Sequence, residues 1–147
     1  MGIEEVLQEV LELRKAKFEE IGVTVVRLPS SAGAPVPAHC SRLGQAIGQV
    51  IDGALRSLAS QPERCLAVGY RSVHRGVVIE IDCSTGGTRA VGPAMHTGRQ
   101  WLEEGVAELA QCRQMLDECG ARAFVSAPAQ GWARFVIELS TEPQRTE

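Results

Sequence analysis

Residues 64–83 read RCLAVGYRSVHRGVVIEIDC, and they contain two strand-like runs separated by a short turn. The runs Arg64–Ser72 and Gly76–Cys83 are rich in β-branched residues, and the turn falls at His74 and Arg75. Runs joined over so short a distance are typical of an antiparallel hairpin. Because side chains alternate along a strand, one set of the second run should face the core: Val77, Ile79, Ile81 and Cys83.

A helix is predicted on each side of this hairpin. Before it, apolar residues recur every three or four positions from about Ala38 to Ala59, and Pro62 closes the segment. After it, the same spacing runs from Leu102 to Cys119, with Gly120 where a left-handed C-cap is expected. Each glycine inside the first helix costs about 1 kcal/mol relative to alanine, so another backbone or a ligand should come close there: Gly44, Gly48 and Gly53.

The two ends of the chain complete an alternation of helices and strands. An amphipathic helix is predicted over Ile3–Ile21 and a strand over Gly22–Leu28, and a long loop follows the hairpin from Ser84 to Gly98. Two further strands, Arg122–Ala127 and Trp132–Leu139, flank a four-residue turn. This order predicts an α+β two-layer sandwich, in which helices cover one face of a mostly antiparallel sheet.

The domain organisation is simple. With 147 residues the chain has the size of one ordinary domain. We expect an N-terminal amphipathic helix over 1–21, one folded domain over 22–140 and a polar tail over 141–147. The helix has coiled-coil spacing over about two heptads, at Ile3, Val6, Val10 and Leu13. It therefore either pairs with its own copy or packs on the domain's core, and so short a run favours the core.

Composition excludes several classes of function. The chain has 15 basic and 18 acidic residues, a formal charge of -3, and no basic patch that could neutralise several phosphates, so nucleic acid is not expected as a partner. Aromatic residues make up 4%, too few for base-stacking platforms. No apolar run reaches about 18 residues, and the acidic N-terminus does not resemble a signal peptide. We expect a cytoplasmic protein that does not enter a membrane.

The metal-ligating residue types are scattered. No two cysteines form a CxxC unit, and the histidines are far apart in sequence, so no metal site is predicted. The cysteines are most simply small core residues. Redox sensing by Cys112 and Cys119 is a weaker alternative, because seven helical residues separate them by about 10 Å, too far for a bridge. The residues concerned are Cys40, Cys65, Cys83, Cys112, Cys119, His39, His74 and His96.

Four segments resemble the ATP-binding (Bergerat-type) domains of sensor histidine kinases. CRQMLDECGARAFVS at 112–126 and QGWARFVIEL at 130–139 are similar to the family's closing helix, glycine turn, strand and hairpin. LGQAIGQVIDGALRSL at 43–58 resembles its N-box helix, and Val77–Ile81 its following strand. The resemblance extends from Gly22 to Leu139. It implies a two-layer sandwich that binds ATP with Mg2+ and serves two-component signalling.

The N-box of this chain departs from the family's pattern. The family has an asparagine that helps to hold Mg2+ directly before the alanine equivalent to Ala54, and here that position is Gly53, which offers no oxygen. Gln49 stands where a second asparagine is usual. The neighbouring Asp52 could take a hard cation, although one ligand makes a weak site.

The adenine-reading motif, Asp-x-Gly-x-Gly in the family, also differs. Strand alternation places Cys83 at the aspartate position, which removes the carboxylate that accepts from the adenine amino group. A shift of one residue restores a carboxylate at Asp82, followed by Ser84 and Gly86. Alternation favours the first alignment.

The phosphate-binding loop and the phosphoacceptor are missing as well. Val106–Leu109 stands where the family has a glycine loop that cradles phosphates, Glu108 would add a repelling charge, and Gly105 is the only nearby glycine. A phosphoaccepting histidine followed by an acidic residue does not occur.

These departures predict a non-catalytic pseudo-ATPase signalling domain without a cofactor. Its partner would be a signalling protein such as a response regulator or kinase, and a homodimer through the N-terminal helix is a further prediction. The alternative keeps weak ATP and Mg2+ binding, with or without phosphotransfer, through these residues: Gln49, Asp52, Gly53, Asp82, Ser84 and Gly86.

Overall fold

A computed structural model describes residues 2–30, 36, 40–73, 75–84, 112, 114–126 and 131–140. Its helices are α1 (Ile3–Leu13), α2 (Lys15–Ile21) and α3 (Leu43–Leu58). Its strands are β1 (Thr24–Arg27), β2 (Cys65–Val73), β3 (Gly76–Ser84), β4 (Arg122–Ser126) and β5 (Trp132–Ser140). Cys112 and residues 114–118 are also helical.

The five strands form one mixed sheet in the order β1-β2-β3-β5-β4. β1 pairs in parallel with β2, and the other three pairings are antiparallel. β3 lies at the centre, where Ile79 stands opposite Tyr70 on one side and Ile137 on the other. The predicted hairpins, β2–β3 and β4–β5, are both confirmed.

The hydrophobic core lies between the sheet and the helices. α3 contributes Ile47 and Ile51, both fully buried, and the predicted inner face of β3 is confirmed because its four side chains are at most 2% exposed. α1 packs beside α3 in the same cluster. The predicted two-layer α+β sandwich with helices on one face of the sheet is therefore the observed architecture.

The N-terminal helix is broken at Arg14, so the prediction of one continuous helix over Ile3–Ile21 was wrong. The backbone of Arg14 leaves the helical range, with φ -109° and ψ 6°. A continuous helix would bond its amide to the Val10 carbonyl, but the amide donates instead to the Leu11 carbonyl. The Arg14 guanidinium donates to the Val10 carbonyl in its place, so a side chain replaces the lost backbone bond.

The apolar stripe of α1 faces the chain's own core. Ile3, Val6 and Val10 are buried there, whereas Leu13 is 75% exposed. A Cβ added at Gly44 would lie 3.4 Å from Cγ1 of Val6. This is an ordinary van der Waals distance, so side chains of α1 are the near neighbours of Gly44 but do not exclude an alanine there.

Glycines close two of the predicted turns. Gly120 has φ 66°, and the Ala121 amide beyond it donates to the Leu116 carbonyl, which confirms the left-handed C-cap. Gly131 has φ 85° at the start of β5. The long loop after Ser84 and the first part of the helix predicted from Leu102 lie outside the described residues. None of the helices in the described part of the chain combines the length and apolar character needed to cross a membrane.

Candidate functional site

The N-box candidates lie together on α3, where Gly53 is buried and Gln49 and Asp52 are half-buried. The Asp52 carboxylate accepts two hydrogen bonds from Arg14, from Nε at 2.8 Å and from Nη2 at 3.2 Å. Both carboxylate oxygens therefore face a cation supplied by the chain itself. A planar guanidinium fits a carboxylate in this bidentate way, and it competes with any divalent ion for the same oxygens.

Gly48 provides the space for this arginine. A Cβ added at Gly48 would lie 2.5 Å from Nη2 of Arg14 and 3.0 Å from its Cζ. A side chain at position 48 would push the guanidinium away from α3, where it now reaches Asp52 one turn further on. The close neighbour of this second glycine is again the N-terminal segment of the same chain.

Cys83, at the position that the resemblance assigns to the adenine-reading aspartate, lies near the end of β3. Its side chain is 1% exposed and faces the helices. Burial, helped by the negative charge of Asp82, raises the pKa of the thiol from 9.0 to about 12. The group is therefore a neutral thiol at neutral pH, and a thiol is a far weaker hydrogen-bond acceptor than a carboxylate.

Asp82 lies on the opposite face of the sheet, away from α3. Its side chain is 8% exposed, and its two oxygens accept from Nε and Nη2 of Arg134 at 2.7 and 2.9 Å. Glu80 contacts the same guanidinium at 3.0 Å. The pKa of Arg134 is raised chiefly by its hydrogen bonds to Asp82. Burial lowers it, and the negative charges of Asp82 and Glu80 raise it further.

The Ser84 side chain hydrogen-bonds to backbone groups at the start of β2. Its buried hydroxyl donates to the Glu63 carbonyl and accepts from the Cys65 amide, both at 3.0 Å. Gly86 lies outside the described residues. The structure thus brings Gln49, Asp52 and Gly53 together on α3 but separates them by the sheet from Asp82.

Three of the departures from the family fall outside the described residues. These are the segment Val106–Leu109, Gly105 and the histidines His39, His74 and His96. Within the described part of the chain, no three His, Cys, Asp or Glu side chains converge as a metal site.

The cysteines are free thiols, and four of the five are buried while Cys65 is half-buried. Cys40 Sγ lies 3.8 Å from the carbonyl oxygen of Cys119, and Cys112 Sγ lies 3.5 Å from that of Ala46. Burial, followed by the hydrogen bond and charge of Cys119, raises the pKa of Cys40 to about 12. A buried neutral thiol reacts slowly, so these residues act as small core side chains.

The raised thiol pKa values predict a loss of stability at alkaline pH. In the unfolded chain Cys83 ionises near 9.0, whereas in the fold it ionises near 12. Between these values the unfolded state binds fewer protons, so the free energy of unfolding falls, by up to about 1.4 kcal/mol per pH unit for such a thiol.

Urea denaturation at pH 7.5, 9 and 10.5 measures this loss. Cys83→Ala should flatten the dependence more than Cys65→Ser, because burial raises the pKa of the half-buried Cys65 thiol less than that of Cys83. An equally steep loss in Cys83→Ala and in the unsubstituted protein would contradict the assignment to Cys83.

Comparison with solved structures finds histidine kinases of similar fold. The nucleotide-free catalytic domain of the histidine kinase ThkA matches with a TM-score of 0.74 and 15% identity, over 98% of this chain and 97% of that one. The Acinetobacter baumannii histidine kinase AdeS matches with a TM-score of 0.73 and 16% identity, over 97% of this chain and 66% of that one.

ThkA in complex with the response regulator TrrA matches with a TM-score of 0.73 and 15% identity. This chain spans 97% of its own length in that match and 41% of the kinase chain. Neither the family models nor the curated proteins give a match. The chain has the fold of a histidine kinase catalytic domain.

Proposed function

We propose that this chain is a pseudo-ATPase signalling domain, which keeps the histidine kinase fold, does not bind ATP and acts through contacts with other proteins. One observation carries the proposal. The two carboxylates that could serve Mg2+ or adenine, Asp52 and Asp82, are each held by an arginine of the same chain. An acid with both oxygens on a guanidinium has little left to offer to a ligand.

The N-box supports the same conclusion for Mg2+. Gly53 has no oxygen ligand, and the neighbouring Asp52 already neutralises Arg14. Mg2+ demands near-octahedral oxygen ligands and gives up its water reluctantly. A single neutral amide at Gln49 is a poor replacement for an asparagine and a free carboxylate, so no cofactor is expected.

The end of β3 supports the conclusion that the chain does not bind adenine. Cys83 is buried and neutral, and Asp82, which a one-residue shift would recruit, lies on the other face of the sheet. Moving Asp82 to the side of α3 would turn every side chain of β3 over. That rearrangement would remove Ile79 and Ile81, which are now fully buried, from the core between the sheet and the helices.

The partner proposed is a response regulator or a kinase of a two-component-type pathway. Its support is the fold and the solved complex of ThkA with TrrA. The cytoplasmic location belongs to the same proposal, and a homodimer through the N-terminal helix stays a prediction.

A phosphotransfer assay tests this function. The chain is mixed with receiver domains of response regulators from the same cell, with γ-labelled ATP and Mg2+. A phosphoaccepting histidine domain is added because the sequence has no histidine followed by an acidic residue, and a competent histidine kinase serves as the positive control. We expect a receiver to bind the chain in nucleotide-free buffer, and no label on the chain or the receiver. Label that requires both this chain and Mg2+ would contradict the proposal.

A further inference from the structure

A groove of about 470 Å3 lies between α1 and α3 on the surface of the described chain. Val6 and Val10 of α1 and Gly44 of α3 are among the residues that line it, and Leu13 lies at its edge with 75% of its surface exposed. Among the described residues, Leu13 is the most exposed of the large apolar side chains.

One side of the groove is acidic. Among the described residues that line the groove, Glu9 is the acidic one. Glu5 and Glu12 flank it on α1 at spacings of four and three residues, although Glu12 lines the neighbouring groove with Gln8 and Leu11, and the Glu5 carboxylate accepts from the Gly2 amide. All three are exposed, and the ion pairs of the described residues do not include their carboxylates. α1 itself contains no lysine or arginine.

The other side of the groove does not offset this charge. α3 and the residues before it contribute neutral side chains, Ser41, Gln45 and Gln49. Arg14 closes one end, but its charge is matched by Asp52 at 2.8 Å. The groove therefore has an apolar floor, neutral polar groups on one side and negative charge on the other.

We propose that this groove docks a basic amphipathic helix of a partner protein, an inference that rests on the proposed role in protein contacts. Apolar side chains of the partner helix would cover Leu13 and fill the space above the buried Val6 and Val10, and its lysines or arginines would pair with Glu9 and the glutamates that flank it. α1 has 11 residues and is about 16 Å long, which matches about three turns of a docked helix.

Charge argues against a second copy of the chain as the occupant. A two-fold contact through α1 would place Glu5, Glu9 and Glu12 near the same residues of the copy. Like charges brought together in an interface oppose association. The same glutamates attract a cationic helix, so charge complementarity selects the heterologous partner.

A pair of synthetic peptides tests the proposal. The first, of about 14 residues, has leucines at helical spacing flanked by lysines, and the second replaces each lysine by glutamate. Fluorescence anisotropy in nucleotide-free buffer should show saturable binding of the lysine peptide that weakens as salt is added, and at least about tenfold weaker binding of the glutamate peptide.

Two matched variants locate the binding. Glu9→Lys should weaken binding of the lysine peptide by about tenfold or more, whereas Glu19→Lys, at an exposed glutamate of α2, should leave it within about twofold. Leu13→Asp should also weaken it. All three positions are exposed, so circular dichroism should be unchanged.

Equal binding by the two charge variants, or no saturable binding, would overturn the proposal. So would sedimentation showing a dimer that Leu13→Asp dissociates, because the occupant would then be a second copy. ATP titration of the same samples separates this inference from the proposed function. If neither the peptide nor ATP binds, only the groove proposal is rejected. If ATP binds, the proposed pseudo-ATPase role is rejected.

Discussion

Replacing Asp82 by alanine is expected to lower the free energy of unfolding by about 3 kcal/mol. The carboxylate is 8% exposed and makes two short hydrogen bonds to Arg134. Removing it leaves a partly buried guanidinium with Glu80 as its remaining acid, and breaking a buried pair on one side typically costs about 3–5 kcal/mol. Because Arg134 keeps its contact to Glu80, we expect a loss of stability at the lower end of this range.

Asp52→Ala is the matched control, since Asp52 is also bound in bidentate fashion by an arginine. Its side chain is 48% exposed, so the same substitution should cost less than about 1 kcal/mol. Urea denaturation followed by circular dichroism compares the two. If Asp82→Ala were as mild as Asp52→Ala, the structural role of Asp82 on the outer face of the sheet would be wrong.

Replacing Ile79 by alanine is expected to cost about 4 kcal/mol, the largest effect of a single substitution in the sheet. Ile79 is 0% exposed at the centre of β3 and faces the helices. Truncating a buried isoleucine loses its burial and leaves a cavity, which together cost about 2–5 kcal/mol. A site enclosed by two strands and α3 has little freedom to collapse, so the upper half of that range applies.

Val26→Ala is the control for Ile79→Ala, because Val26 is a β-branched strand residue that is 41% exposed. It should cost less than about 1 kcal/mol. The measurement is the urea midpoint of each variant at constant slope. A loss below about 1 kcal/mol for Ile79→Ala would contradict the position of β3 at the centre of the core.

The fold could be predicted from the sequence largely because local signals and burial agree. The alternation in Gly76–Cys83 matches β3. The helix predicted from about Ala38 to Ala59 is observed as α3, which begins later, at Leu43, after a turn at residues 41–42. The turns at Gly120 and Gly131 have the positive φ that glycine allows. The strand order, with β5 between β3 and β4, could not be predicted because it depends on contacts distant in sequence.

The break at Arg14 had no local signal. Arginine is a good helix former, and the apolar spacing continues to Ile21. In the fold the Arg14 side chain bonds to Asp52, 38 residues away. A pattern within one segment contains no information about such a partner.

The candidate site was predicted in part. Alternation correctly placed Cys83 on the inner face and Asp82 on the outer face. The partner Arg134 was missed, although a single cation in the otherwise apolar start of Trp132–Ser140 was a usable sign of a cross-strand ion pair. Asp82 of β3 and Arg134 of β5 stand opposite each other in the antiparallel register, which brings their side chains together.

Titration with a fluorescent ATP analogue, with and without Mg2+, tests the central claim most directly. If both carboxylates are held by arginines and the adenine aspartate is replaced by a buried thiol, the signal should not saturate in the micromolar range, and Mg2+ should make no difference. Saturable micromolar binding that depends on Mg2+ would contradict the pseudo-ATPase role of this chain.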